Sequence, residues 1–259
     1  MIDLHSHILP AVDDGARNIG ESLSIARAAA HDGTTVIAAT PHVRFDYPTT
    51  PEEIRRGVET LNELLVSERV PVRVVPGAEI ALDRLRELEV DELAAYGLGG
   101  NPRVLLVECP YRGWPEELFD EIRRLRSAGF TVVLAHPERN DVVQRDLARI
   151  DLAVASGALI QVTAGSLVGE AGRKSRRTAE AFLTRGLCHL LASDVHGPGV
   201  RRTQLGAARG HVGDDRLARW LTEDVPGAIL AGGELPQRPS ETRSSGGRRS
   251  LFGRRPTPG

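Results

Sequence analysis

The sequence predicts an α/β chain built as a distorted (β/α)7 barrel of the TIM type, with a metal site at the carboxyl ends of its strands. Three observations lead there. Short apolar runs alternate with helix-period segments along most of the 259-residue chain. The runs are continuous rather than alternating, as in strands covered on both faces. Six of the seven predicted strands end in a histidine or a carboxylate.

Each unit can be justified in turn. Residues 1–4 read as a short strand that delivers His5 and His7; residues two apart on an extended backbone point to the same side. Residues 19–31 carry Ile19, Leu23, Ala26 and Ala30 at helical spacing, and Gly33 stops the helix. Residues 34–39 are a second strand running into Thr40-Pro41-His42, and 43–50 a loop. A helix opens at Pro51 with Thr50 as its cap and runs to about residue 67. The third strand, 72–75, leads to Glu79, and the fourth, 104–107, to Glu108. A helix over 115–128 ends at Gly129. The fifth strand, 131–135, runs into His136-Pro137-Glu138-Arg139, and a helix covers 141–155. The sixth strand, 158–162, ends in Thr163-Ala164-Gly165, and residues 173–184 are helical. The seventh strand, 188–192, ends in Ser193-Asp194-Val195-His196, and a last helix spans 215–230. Residues 1–235 thus form one barrel domain. Residues 236–259, rich in Arg, Pro, Gly and Ser and without periodicity, read as a disordered tail.

Composition excludes several classes. No apolar run reaches the roughly 18 residues of a membrane span, and the N-terminus lacks a secretion signal. Cys109 and Cys188 lie in apolar runs and read as buried thiols, consistent with a reducing cytoplasm. The net charge is −2, but residues 236–259 hold six Arg against one Glu, so the remainder stands at −7. A mildly acidic body gives no sign of nucleic-acid binding.

Taken singly, a Glu at a strand end is a cap and Asp13 or Asp14 before Gly15 a turn residue. Taken together, His5, His7, Asp14, His42, Glu79, Glu108, His136, Asp194 and His196 fall at one end of nearly every unit, which predicts a metal site. Five imidazoles and four carboxylates without a thiolate suit Mn, Fe or Zn. Nine ligands exceed one ion; two or three, bridged by a carboxylate such as Glu79, fit. Three divalent ions outweigh four carboxylates, and the surplus positive charge attracts an anion. Arg139 and Arg201, with Arg202 as rival, supply guanidinium forks for phosphate oxygens. The loop 43–50, with Arg44, Phe45 and Tyr47, is either a pocket wall or a plain connection. A cysteine-dependent phosphatase is excluded, because Pro115 and Asp194 stand where Arg should follow Cys109 and Cys188. An amidohydrolase of the carboxylated-lysine type is disfavoured: the fourth strand ends in Glu108, and the one lysine, Lys174, falls in a helix region.

In this order DLHSH, DDG, TPH, GAE, HPER and SDVHG resemble the PHP (polymerase and histidinol phosphatase) superfamily. The opening MIDLHSHILPAVDDGARN followed by ATPH is similar to its bacterial metal-dependent protein-tyrosine phosphatases of capsule and exopolysaccharide synthesis. The resemblance covers residues 1–209. It implies the PHP fold, a distorted barrel of seven units, holding three divalent ions, most often taken as Mn2+. By motif, His5, His7, Glu79 and Asp194 would hold one ion, Glu79, Glu108 and His136 a second, and Asp14, His42 and His196 a third. Arg139 and Arg201 would bind phosphate, and His42 or a bound water would supply a proton. The implied reaction is phosphotyrosine hydrolysis by metal-activated hydroxide. The implied partner is a membrane-linked tyrosine autokinase. Histidinol-phosphate or another small-molecule phosphatase is the alternative within the superfamily, and an inactive metal-binding scaffold the non-enzymatic one.

Overall fold

A computed structural model describes residues 1–199 and 202–240. In chain order the elements are β1 (Ile2–Ser6), α1 (Ile19–His31), β2 (Val36–Ala39), β3 (His42–Arg44), β4 (Tyr47–Pro48) and α2 (Pro51–Ser67). There follow β5 (Arg73–Pro76), β6 (Glu79–Ile80), α3 (Leu82–Glu87), α4 (Val90–Ala94), β7 (Val104–Glu108), α5 (Leu118–Ser127) and β8 (Thr131–Ala135). The chain continues through α6 (Ala148–Ala155), β9 (Leu159–Thr163), α7 (Ala164–Val168), α8 (Gly172–Thr184), β10 (Leu190–Ala192), α9 (Leu205–Val212), α10 (Asp215–Arg219) and α11 (Val225–Ala231).

Among the described residues the strands form two sheets. One has the order β1-β2-β5 and is parallel. The other has the order β10-β9-β8-β7-β6-β3-β4 and is parallel except where β4 turns back on β3. The chain itself joins them: β2 passes through Thr40-Pro41 into β3, and β5 through Gly77-Ala78 into β6. The far edge returns to β1. Ser6 bridges Val195, His7 N donates to Val195 O at 2.8 Å, and Asp194 N donates to His5 O at 2.9 Å. β1 therefore has β2 on one side and the end of β10 on the other. Leu4, Ile37, Leu105, Val133, Ile160 and Leu191 are fully or almost fully buried, as continuous apolar strands require.

Several elements depart from the sequence reading for physical reasons. The 43–50 segment is not a loop but the hairpin β3–β4, in which Arg44 pairs with Tyr47 and Val43 with Pro48. Residues 82–100 hold α3, α4 and a short 3-10 turn where no element was expected. The expected helix over 141–155 starts only at Ala148: the Asn140 side chain accepts from the Val142 and Val143 amides and holds 141–147 in turns. The C-terminal 215–230 helix is α10 and α11 joined by a π-helical segment, Trp220–Asp224, just before Pro226, which has no amide to donate.

Residues 236–240, placed in the tail by composition, are tied to the domain. Trp220 Nε1 donates to Pro236 O at 2.9 Å, and Arg238 donates to Cys188 O and Leu183 O at 2.9 and 3.0 Å. The Arg238 guanidinium also sits 5.5 Å from the Trp220 ring centroid. Residues 241–259 lie outside the described residues. Charge-assisted bonds to carbonyls and a cation–π contact together contribute about 2 kcal/mol. Arg238→Ala is therefore expected to lower the thermal midpoint by about 5 °C in a melting scan.

Candidate metal centre

Local chain geometry aims the side chains. His5 and His7 leave β1 on one side, while Ser6 between them turns away and donates to Ala38 O at 2.7 Å. The chain then turns tightly over His7: a Cβ at Gly15 would lie 2.2 Å from His7 O and 2.4 Å from His7 Cβ. Only glycine fits there, which explains Asp-Asp-Gly beyond simple turn preference. His136 and Asp194, just past β8 and β10, adopt left-handed backbone with φ of 38° and 53°. Such conformations cost roughly 1–3 kcal/mol each and cluster at functional sites. Here they bring an imidazole and a carboxylate back towards the strands.

All nine residues expected from the sequence come together. His7, Asp14, His42 and His196 form one group whose ligand atoms all lie within 4.8 Å of one another; His5, His7 and Asp194 form another. Two further groups share Glu79: His5 with Glu79 and His136, and His42 with Glu79 and Glu108. The grouping differs from the motif assignment in adding His7 to the third set and in dividing His136 and Glu108 between two groups. Glu79 is the hub. Its Oε1 lies 2.8 Å from His136 Nε2. Its Oε2 lies 3.1 Å from His42 Nδ1, 3.4 Å from His5 Nε2 and 3.5 Å from His7 Nε2, yet makes no hydrogen bond. His5 Nε2 and His7 Nε2 face each other at 3.3 Å. Buried polar atoms are normally satisfied. Nitrogens and carboxylate oxygens crowded together in this way, Glu79 Oε2 and His42 Nδ1 without a hydrogen bond among them, fit divalent cations.

A supporting layer was missed in the sequence. Asp13, set aside as a turn residue, does cap the turn through Gly15 N at 2.9 Å. Its other oxygen lies 2.6 Å from His7 Nδ1 and accepts from His42 N at 2.9 Å. Gln161 Oε1 lies 2.9 Å from His5 Nδ1. Each fixes an imidazole so that Nε2 faces the centre. Asp3 accepts from His5 N and Ser193 N, joining the ends of β1 and β10. Gln161 carried a readable signal, a lone amide inside the apolar run of β9.

Arg139 stands at the rim. Its Nη1 donates to Asp194 Oδ2 at 2.5 Å, and its guanidinium sits 4.7 Å from the Tyr111 ring centroid. It borders a cleft of about 480 Å³ with Thr163, Gly165 and Ser193. Arg201 lies outside the described residues. Arg202, its rival, donates to Glu170 at 2.6 Å and also lines that cleft.

A family model for capsular polysaccharide synthesis proteins, CpsB/CapC, matches residues 1–225. The chain belongs to the CpsB/CapC family. It is 36% identical over 206 residues to the tyrosine-protein phosphatase YwqE of Bacillus subtilis, spanning 78% of this chain and 79% of YwqE. It is 29% identical over 204 residues to the tyrosine-protein phosphatase CpsB of Streptococcus pneumoniae, spanning 76% and 83%. A crystal structure from work on YwqE and CpsB, described there as metal-dependent tyrosine phosphatases, superposes with a TM-score of 0.81 at 29% identity. That match covers 93% of this chain and 100% of the other.

In this CpsB/CapC chain His5, His7 and Glu108 hold protons more strongly than the free groups, whereas burial lowers His42 to about 4. Burial works against charge at His5 and His7, but Glu79, Asp194 and, at His7, Asp13 outweigh it and raise both imidazoles, His7 well above the usual range. Burial likewise pushes Glu79 and Asp194 up, and the surrounding imidazoles overcome it, holding both carboxyls well below their usual range. Burial, reinforced by Glu79, pushes Glu108 up to about 7. Cations must displace these protons. Metal affinity is therefore expected to rise with pH across the range 6 to 8, by about tenfold or more per unit if one or more protons leave. Calorimetric titration with Mn2+ at several pH values checks this.

Proposed function

We propose that this chain is a metal-dependent protein-tyrosine phosphatase acting at the Glu79-centred cluster. The carrying observation is the convergence of five imidazoles and four carboxylates on one another, in a chain of a family whose relatives are named tyrosine-protein phosphatases. We assign His5, His7, Asp194 and Glu79 to one ion, Glu79, His136 and Glu108 to a second, and Asp14, His42 and His196 to a third, with Mn2+ as the preferred metal. We read the seven β-α units, with β1 contacted by the end of β10, as the distorted barrel that presents them.

When bound, divalent ions polarise phosphoryl oxygens and acidify water. The chain's own residues do the rest. Arg139 turns a fork of donors towards the phosphoryl group while its bond to Asp194 holds it in register. Arg201 is assigned as the second fork on its sequence position. Both ring nitrogens of His42 face cluster carboxylates, Nδ1 at Glu79 and Nε2 at Asp14, 3.1 and 3.5 Å away. His42 therefore serves the metal rather than the leaving group. A phenol with a pKa of about 10 departs without a strong acid. We place the protein in the cytoplasm, where buried free Cys109 and Cys188 persist, and its substrate in a membrane-linked tyrosine autokinase. No helix among the described residues is long and apolar enough to cross a membrane.

The test strips the protein with chelator, adds back Mn, Fe, Co, Zn or Mg, and measures release of phosphate from a phosphotyrosine peptide and from histidinol phosphate. Metal-restored turnover that favours the peptide supports the reading. Turnover of histidinol phosphate alone replaces the substrate, and none with any metal overturns the enzyme.

A further inference from the structure

Among the clefts that border the centre are three of about 460 to 520 Å³. The one at Arg139 is lined by Thr163, Gly165, Ser193 and the Glu170–Arg202 pair, and the one at Asp14 and His196 by Gly15, Arg17, Glu21 and Pro198. Neither has an aromatic wall. The third, about 520 Å³, opens beside Glu108; Leu82, Pro110, Trp114 and Pro115 give it an apolar side, and Asp83 and Arg112 line it as well.

Its outer wall belongs to the loop after β7, which the turn after Arg139 holds rigid. Asn140 Nδ2 donates to Pro110 O at 2.6 Å and to Gly113 O at 2.7 Å. Asp141 accepts from Gly113 N at 2.8 Å, and its own amide donates to Tyr111 O at 3.0 Å. Tyr111 in that loop stacks on His136, with centroids 5.4 Å apart and planes 13° from parallel, and keeps 38% exposure. One pinned loop thus carries a ring on the metal cluster and an indole in the adjoining cleft.

We propose that the Trp114–Pro110 cleft beside Glu108 is an aryl subsite that receives the ring of the phosphorylated tyrosine. This rests on the phosphatase reading. A monoester with its phosphoryl group at the cluster and its ester oxygen towards Glu108 places its organic group here. The indole of Trp114 with the flanking prolines favours a ring over an alkyl chain. A loop already ordered adds little entropic cost on binding.

The test is calorimetric binding of phenylphosphonate and methylphosphonate to the Mn2+-loaded protein. Wild type binds the phenyl ligand more tightly. Trp114→Ala weakens phenylphosphonate about five- to tenfold and leaves methylphosphonate within about twofold. Trp114→Phe keeps an aromatic wall and keeps the preference. Equal weakening of both ligands, or no phenyl preference in wild type, overturns the subsite. Phosphotyrosine-peptide turnover by wild type, measured alongside, reports on the phosphatase reading separately: its absence with an intact phenyl preference would sink that reading and leave the subsite standing.

Discussion

Glu79→Gln is expected to cut kcat on a phosphotyrosine peptide by about 10³-fold and to remove bound metal, while the chain remains folded. The carboxylate reaches four imidazoles, one through Oε1 and three through Oε2, so it is the group that every part of the cluster shares. The amide keeps the shape but removes a negative charge and turns a donor towards nitrogens that should face a cation. Losing several kcal/mol of metal-derived stabilisation corresponds to that rate loss. Three readouts separate causes. Metal analysis should show fewer ions, Mn2+ should no longer raise the thermal midpoint, and circular dichroism should be unchanged. Full metal content together with full activity would remove Glu79 from the centre.

Arg139→Ala is expected to lower kcat/KM for the same peptide by about 10²-fold without loss of metal. A charge-assisted, part-buried contact to an anion contributes roughly 1.5–3 kcal/mol, enough for that factor. Arg139→Lys should recover only part of it, since a point charge cannot reproduce the fork. A different role is possible in physical terms: Arg139 holds Asp194 Oδ2 and covers Tyr111. If holding Asp194 were its whole function, the Ala variant would lose metal in proportion to activity. Unchanged metal with a raised KM is the result this account requires.

The site was more legible in the sequence than the fold around it. His5 and His7, and Asp194 and His196, are readable because period-two geometry turns each pair to one side; His42, Glu79, Glu108 and His136 because each comes at or just after the end of an apolar run; and Asp14 only as a neighbour in the loop after the first strand. Those runs are set by burial on both faces, which is a local pattern. β3–β4 and β6 are not. A two-residue strand such as Glu79–Ile80 exists only through its partners, His42–Val43 on one side and Leu106–Val107 on the other, and no local pattern encodes that. The late start of α6 was not legible because the Asn140 side chain that accepts from the Val142 and Val143 amides is itself held by the Pro110 and Gly113 carbonyls, contacts remote in sequence. Asp13 was read correctly as a turn residue and incompletely as nothing more. Its second oxygen orients His7, a role visible only once β1 and the turn are in place. The 43–50 segment offers two aromatic residues for a pocket wall, Phe45 and Tyr47. Tyr47 does stack on His42, with centroids 6.0 Å apart, but Phe45 at the hairpin tip is 90% exposed. The ring beside His136 comes instead from Tyr111, whose position depends on the Asn140–Asp141 clamp.

The most direct test of the central claim is turnover of a phosphotyrosine peptide against metal content. Chelator-stripped protein is loaded stepwise with Mn2+, ions per chain are counted by mass spectrometry, and the rate is followed in parallel. The account predicts no turnover in the stripped protein and a rate that reaches its plateau as loading approaches three ions per chain. Full turnover by the metal-stripped chain would contradict it.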